Sequence, residues 1–334
     1  MREPTILRAV RTFLVPAVLA ASTAAAQNAP AAAVQRSVLP SGQPALCLAV
    51  DTDPVQAELS GDCTAALPGG TPTTNSAAAL ASTNGVLRAR LEIGLEGATP
   101  GTYDLAPGAS VQTFVSALFQ DRMLVTPLSG QPLPDRVRLW LAIDGTMEEA
   151  FGLTTGNLGT STVFAATWFA PTLSSAATSR VILGLDGSQT VDRPGATFVG
   201  THAPSTYTGG RSAVVDGFVG SHDFAVGPDG RFDFAAFFGL GAVIANPTAL
   251  PVHIVGGLQR ADFFDTARLI AAQAFDARGA DVSAGYRFTT GAGLVLASGA
   301  PAVVPEPSTV VLLATGLLAV AGVARARRRP ARAG

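Results

Sequence analysis

Histidine is the side chain best suited to hold a metal or move a proton near neutral pH. This chain has three: His202, His222 and His253. None forms a His-x-x-x-His or His-Glu-x-x-His pair, so a metal centre would need the fold to gather all three. Ser221-His222-Asp223 has the residue types of a hydrolytic triad. On a strand, however, neighbouring side chains point to opposite faces and cannot converge on one substrate atom. Asp144, Glu148 and Glu149 cluster after an apolar stretch. A glycosidase needs two carboxyls about 5–9 Å apart, but as solvated turn residues these three require no such pairing. Asp51-Thr52-Asp53, and Asp229 with Asp233, offer oxygen atoms to calcium without the oxygen-rich run of an EF-hand. Gly-x-Ser-x-Gly, a phosphate-binding glycine loop and a dinucleotide fingerprint are all missing. The expectation is a non-catalytic chain with no catalytic, cofactor-binding or metal residues and no cofactor.

Strands must position whatever these residues do. Val86 to Leu95 alternates Leu87, Ala89, Leu91, Ile93 and Leu95 against Arg88, Arg90 and Glu92, which is a strand with one buried face. Val137 to Ile143 alternates similarly, and Thr162 to Phe169, Val181 to Leu185, Phe232 to Phe238 and Val252 to Val255 are further strands. Trp140 and Trp168 fall in such strands and read as core rather than as sugar platforms. Arg136 and Arg138 read as a solvent face. Arg90 to Gly97, Arg138 to Gly145 and Arg180 to Gly187 share one template. It runs Arg, aliphatic, any residue, aliphatic, small, aliphatic, acid, Gly, and predicts strands that end in a turn at the acid-Gly pair. Three copies are too few to close a propeller, so they read as equivalent strands of a sandwich. Pro228-Asp229-Gly230 predicts a hairpin turn. Gly69 to Asn84, rich in Thr, Ser and Ala, reads as a loop. Ala261 to Phe275 has helical propensity with a cap near Asp262; a strand is the reading adopted.

Composition agrees with such a fold. Only 14% of residues are charged and 48% are hydrophobic, which excludes a disordered polyelectrolyte. A net charge of −2 supplies no field for nucleic acid. The expected fold class is all-β, a jelly-roll-like β-sandwich flanked by an N-terminal signal peptide and a C-terminal transmembrane helix.

Both ends carry their own signals. Arg2, Arg8 and Arg11 precede the apolar run Phe13 to Ala21, and Ala24-Ala25-Ala26 supplies small residues for a cut after Ala26. Those are the three parts of a secretory signal peptide. A run of about nine apolar residues is too short to cross a ~30 Å hydrocarbon layer. Export places Cys47 and Cys63, the only cysteines, in an oxidising compartment, where one disulfide is the natural reading. Closing a loop of about fifteen residues would stabilise the fold by about 3 kcal/mol. At the other end, Pro305-Glu306-Pro307-Ser308-Thr309 precedes the apolar run Val310 to Val323. Arg325, Arg327, Arg328, Arg329 and Arg332 follow. The apolar run can enter a bilayer, and the arginines act as a stop-transfer signal that stays cytoplasmic. The run is short for a spanning helix, which suits temporary retention.

A Pro-Glu-Pro motif, an apolar helix and an Arg cluster in that order resemble the PEP-CTERM sorting signal. The motif here is Val304-Pro305-Glu306-Pro307-Ser308-Thr309. The resemblance implies recognition around Pro305, Glu306 and Pro307 by exosortase, a membrane-embedded cysteine protease that removes the tail. It also implies delivery to the cell surface or extracellular polysaccharide matrix of a Gram-negative bacterium. Such tails also go under the label of an ice-binding-protein C-terminal domain, which describes the tail and makes no ice binder of the chain. Asp262 to Leu269 is similar to an Asp-Phe-x-Asn-Thr-Ala pattern that leads into a late strand of many PEP-CTERM ectodomains, with Asp265 where Asn is usual. Val86 to Val125 is loosely similar to the same sandwiches.

The expected organisation is a signal peptide over 1–26, a linker over 27–37, a β-sandwich ectodomain over 38–300 and a sorting signal over 301–334. Within the last, the motif is 304–309, the transmembrane helix 309–324 and the Arg-rich tail 325–334. The expected partners are the secretion machinery, exosortase and, transiently, the inner membrane, with no nucleic acid. Two alternatives stay open for the ectodomain: a module that binds matrix polysaccharide, and a secreted hydrolase. A permanently membrane-anchored periplasmic protein is the alternative for the whole chain.

Overall fold

The computed structural model describes residues 31–40, 46–66, 72–95, 103–155, 158–169, 179–192, 195–250, 252–264 and 267–302. The chain divides into a unit of residues 1–301 and one of residues 302–334. The expected leader and tail lie outside the described residues. Among those described, no helix is long and apolar enough to cross a membrane.

Nearly everything described is β. Nineteen strands hydrogen-bond into one continuous sheet, arranged as two antiparallel ladders. The first runs β2 (Leu46–Asp53), β1 (Ala31–Pro40), β7 (Ser110–Pro127), β15 (Arg231–Ala245), β9 (Gly159–Phe169), β10 (Ser179–Gly184) and β11 (Gln189–Asp192). Beyond the reach of β1, the edge of β7 is taken by β18 (Tyr286–Thr290). The second runs β12 (Thr197–Tyr207), β13 (Gly210–Gly220), β8 (Arg136–Thr155), β16 (Val252–Phe263), β5 (Leu87–Leu95), β4 (Pro72–Ser82) and β3 (Gln56–Ala66). Three short strands fill its gaps: β14 (Phe224–Ala225) and β17 (Arg268–Phe275) on β8, and β6 (Tyr103–Leu105) on β16. A last strand, β19 (Val295–Ser298), pairs antiparallel with β18 and parallel with β17, and so joins the ladders.

Period-two alternation decides which face each strand buries. Leu91 and Ile93 of β5, Leu139, Leu141 and Ile143 of β8, and Val181 and Leu183 of β10 all enter one apolar core. Rings from the two ladders meet there: Phe263 stacks on Phe164 at 5.0 Å and meets Phe238 edge-on at 6.0 Å. Each fully buried aliphatic or aromatic side chain contributes about 1.5–3 kcal/mol.

Several sequence expectations need correction. Gly69 to Asn84 is no loop: β4 occupies most of it, with Ala77, Ala79 and Ala81 in the core. Alanine has weak strand propensity, and these three are buried by their place in the ladder, beside Leu91, Ala89 and Leu87 of the neighbouring β5. The linker expected over 27–37 contains most of β1, paired on both edges. The acid-Gly turn forms in the third repeat, where Gly187 has φ +84°, but Asp144-Gly145 lies inside β8, which continues without a break. The turn at Pro228-Asp229-Gly230 is present, with Gly230 at φ +74°. Its arms form no two-stranded hairpin, because β14 pairs with β8 and β15 with β7. Within Ala261 to Phe275, read as strand, the described residues 261–263 end β16 and 268–275 form β17.

Candidate functional site

Each residue picked for chemistry has a definite place. Ser221, His222 and Asp223 lie between β13 and β14, and their side chains diverge. The Ser221 hydroxyl accepts from the Leu139 amide at 2.9 Å and donates to the His222 carbonyl at 2.6 Å. His222 Nδ1 lies 2.9 Å from the Ser179 hydroxyl, which also accepts from the His222 amide at 3.1 Å. Asp223 receives two bonds from Arg138, at 3.0 and 2.8 Å, and one from Arg136 at 3.4 Å. The two arginines read as a solvent face are thus tied to a carboxylate, and Arg138 also stacks over Phe275. The Ser179–His222 contact has the geometry of a nucleophile and its base. Ser179 is only 1% exposed, however, so its oxygen is closed to a substrate.

The histidines stay apart. His202 Nε2 lies 2.9 Å from the Gly184 carbonyl, fastening β12 to the turn after β10. His253 sits at the start of β16 opposite Thr155 and Asp104. Among the described residues no group of three or more His, Cys, Asp or Glu side chains could hold a metal ion. Asp53 accepts from the Val55 and Gln56 amides and Asp51 from the Glu58 amide, so both organise a turn. Those backbone bonds, Gln56 first and Val55 second, hold the Asp53 carboxyl below its ordinary range. Asp233 pairs with Arg122 at 2.7 Å, and Asp229 accepts from the Arg231 amide. Trp140 and Trp168 are both buried, so neither is a platform for a sugar ring. Cys63 is buried, and no cysteine among the described residues is free.

The acidic cluster gives the clearest arrangement. Strand alternation sends Glu148 to the outer face, where Tyr207 donates to it at 2.9 Å, and Glu149 to the inner face. They cannot work together as a glycosidase pair. Glu149 instead heads a polar row that crosses the second ladder in register. Arg211 of β13 faces Glu149 of β8, Glu149 faces Gln259 of β16, and Gln259 faces Ile93 of β5. Ile93 faces Asn75 of β4, and Asn75 faces Cys63 of β3.

This row is bonded to the first ladder. Arg211 donates to Glu149 Oε1, which also accepts from the Thr160 hydroxyl at 2.7 Å. Gln259 Nε2 donates to the Ser161 carbonyl at 2.9 Å and the Thr162 hydroxyl at 2.8 Å. Thr113 donates to Asn75 Oδ1 at 3.0 Å. The row fastens one ladder to the other through polar contacts inside an apolar core. Its carboxylate is 6% exposed and paired with a guanidinium, an arrangement that holds structure rather than presenting a group to substrate.

A second buried carboxylate, Asp121 on β7, clamps the turn between β18 and β19. It accepts from the amides of Arg122 at 2.6 Å and Ala292 at 3.0 Å. Burial pushes its carboxyl above the ordinary aspartate range, against the pull of these bonds. Neither Arg211 nor Asp121 stands out in the sequence. Glu149 could have been found there, because it falls on the same alternating positions as Ile143 and Met147, where an acid is out of place.

The sorting residues Pro305, Glu306 and Pro307, the stop-transfer arginines and the Ala26 cut all lie outside the described residues. A family model described as the PEP-CTERM protein-sorting motif matches residues 303–329. It spans the Pro-Glu-Pro motif, the apolar run and most of the arginine cluster. The motif implies export, exosortase processing and membrane-anchored sorting to the cell surface. No curated protein matches the chain.

Proposed function

We propose that this chain is an exported surface or extracellular-matrix protein of a Gram-negative bacterium. Exosortase sorts and cleaves it, and its ectodomain is a non-catalytic, jelly-roll-like β-sandwich. The observation that carries the reading is the three-part tail matched at residues 303–329. An apolar run of about fourteen residues is shorter than the ~20 that a comfortable spanning helix needs, and the arginines behind it resist translocation. Such a segment holds the protein long enough for a protease to act.

The non-catalytic reading draws support from the ectodomain. The Ser179–His222 contact is sealed in, and the buried Glu149 is tied to Arg211. The sandwich reading draws support from a core filled from both ladders.

The same reading joins Cys47 to Cys63. Only Pro54 and Val55 separate β2 from β3, and Asp51 of one contacts Glu58 of the other. Four residues outward from that contact lie Cys47 on β2 and, on β3, the neighbour of Cys63.

Mass spectrometry of the protein recovered from producing cells tests the proposal. The expected chain begins after Ala26 and lacks the arginine cluster, and Glu306→Ala should leave the tail attached. Recovery of an intact tail including Arg332 from exosortase-competent cells would refute the sorting reading.

A further inference from the structure

Thr162 of β9 and Gln259 of β16 bring a hydroxyl and a carboxamide into contact between the two ladders. Gln259 is 0% exposed and Thr162 1%. Gln259 Nε2 donates to the Thr162 hydroxyl at 2.8 Å and to the Ser161 carbonyl at 2.9 Å, and the Val243 carbonyl lies 3.4 Å away. Carbonyls only accept, so the amide nitrogen, not its oxygen, stands among these groups. The Thr162 oxygen accepts in this contact, which leaves its own proton to be given to another group. Nε2 is about 1.33 Å from Cδ, so that oxygen lies within about 4.1 Å of the carboxamide carbon.

A carboxylate stands beside the pair. Glu149 lies opposite Gln259 in register and is bonded to Thr160, two residues before Thr162 on the same face of β9. Its Oε1 accepts from Arg211 and Thr160. Its Oε2 and Gln259 Oε1 are both buried without a hydrogen-bond partner among the described residues. A bare carboxylate oxygen in a dry site is costly, and it is a ready acceptor for a proton. The other hydroxyl–carboxamide contact of the row differs on both counts. Thr113 donates its proton to Asn75 Oδ1, and Asn75 has Ile93 and Cys63 opposite it rather than a carboxylate.

We propose that Thr162 and Gln259 join as an intramolecular ester that bolts β9 to β16. Thr162 Oγ1 gives its proton to Glu149 Oε2 and attacks Gln259 Cδ, and the carbonyl pair moves onto Oε1. The carbonyl then reforms, the Cδ–Nε2 bond breaks, and Glu149 returns the proton to the nitrogen, which leaves as ammonia. Glu149 ends as the carboxylate it was, and no oxidant or other reactant enters. A carboxamide resists an alcohol in water, but here the two are held in place and a proton carrier is at hand. Burial keeps water from the product. Thr160 and Ser161 next to the pair are half-buried, so ammonia has a short way out, and its protonation in solvent draws the step forward. The step occurs once per chain and acts on no substrate, so it goes beyond the sorting reading without depending on it.

The test is peptide mapping of the folded protein after cleavage at arginine. Intact mass is not enough, because a Gln27 freed by the signal cut can also lose ammonia by cyclising. Thr162 falls in the peptide 139–180 and Gln259 in 232–260. The two should appear as one joined species, lighter than their sum by one ammonia, and hydroxylamine, which cleaves esters and spares amides, should part them. Thr162→Ser should keep the joined species and Thr162→Val should abolish it. Glu149→Gln, close in shape, should lower its yield at least about 10-fold. Separate peptides from folded parent protein, with Gln259 still an amide, would overturn the proposal, and this arm needs no variant to fold. A joined species that survives in Thr162→Val would overturn it equally, and a full yield from Glu149→Gln would overturn the role given to Glu149. Both peptides lie within the sheet, so the result is independent of how either chain end is processed.

Discussion

Glu148 and Glu149 show how much one residue of register decides. The first meets solvent and a tyrosine hydroxyl, the second a half-buried guanidinium and a threonine. Removing one partner of a buried pair leaves the other charge uncompensated, typically at 3–5 kcal/mol. Arg211 keeps some solvent contact, with 30% of its side chain exposed. Arg211→Met should therefore destabilise the fold by about 3 kcal/mol in urea unfolding, and Arg211→Met with Glu149→Met by less than the two single variants together. Additive losses would show that the pair is not coupled. Asp121 gives a pH signature. Its carboxyl titrates above the unfolded value because it is buried. The folded state thus holds that proton more tightly, and the contribution is present below about pH 4 and lost as pH rises through the folded pKa. Relative to Asp121→Asn, the parent should lose thermal stability between about pH 3 and pH 7. A relative gain over that range would contradict the assignment.

At the scale of the strand, the glycine of the repeat template serves two different ends. Gly187 has a positive φ in a turn, as the acid-Gly pattern leads one to expect. Gly145 lies mid-strand, where an added Cβ would fall within the Phe263 ring and 2.5 Å from the Asp262 carbonyl oxygen. Its role is to leave room for that ring to reach Phe164. Gly145→Ala should cost about 1–3 kcal/mol through overpacking, measured as a lowered urea midpoint with an unchanged slope. A neutral effect would show that the ring can move aside. Alternation in Leu87 to Leu95 and Val137 to Ile143 made β5 and the first part of β8 legible in the sequence. Nothing local marks the continuation of β8 through Asp144-Gly145, because the partners that sustain it, β13 and β16, are remote in the chain. The alanine run of β4 is illegible in the sequence for a related reason: its burial comes from neighbours, not from its own hydrophobicity. Sequence located the histidines and acids correctly but could not say which carboxylate finds a guanidinium, since Arg211 and Glu149 meet only once two strands are in register.

At the scale of the molecule, the first two strands are held by the Cys47–Cys63 link proposed above and by pairing to β7. Reducing the processed protein should lower its stability by about 3 kcal/mol. An unchanged urea midpoint after complete reduction would argue against that bond. The neighbours of β7 have a further consequence. They come from residues 31–40, 231–245 and 286–290, so its edges stay open until almost the whole chain has crossed the inner membrane. Assembly between such distant segments is slow, and unpaired edges invite aggregation while it lasts. The matched motif begins at residue 303, shortly after the last of these partners. Under the sorting proposed above, a membrane anchor at that point would act as a timer, holding the chain at the membrane until its closing strand is in hand and the cut that frees it can be made safely.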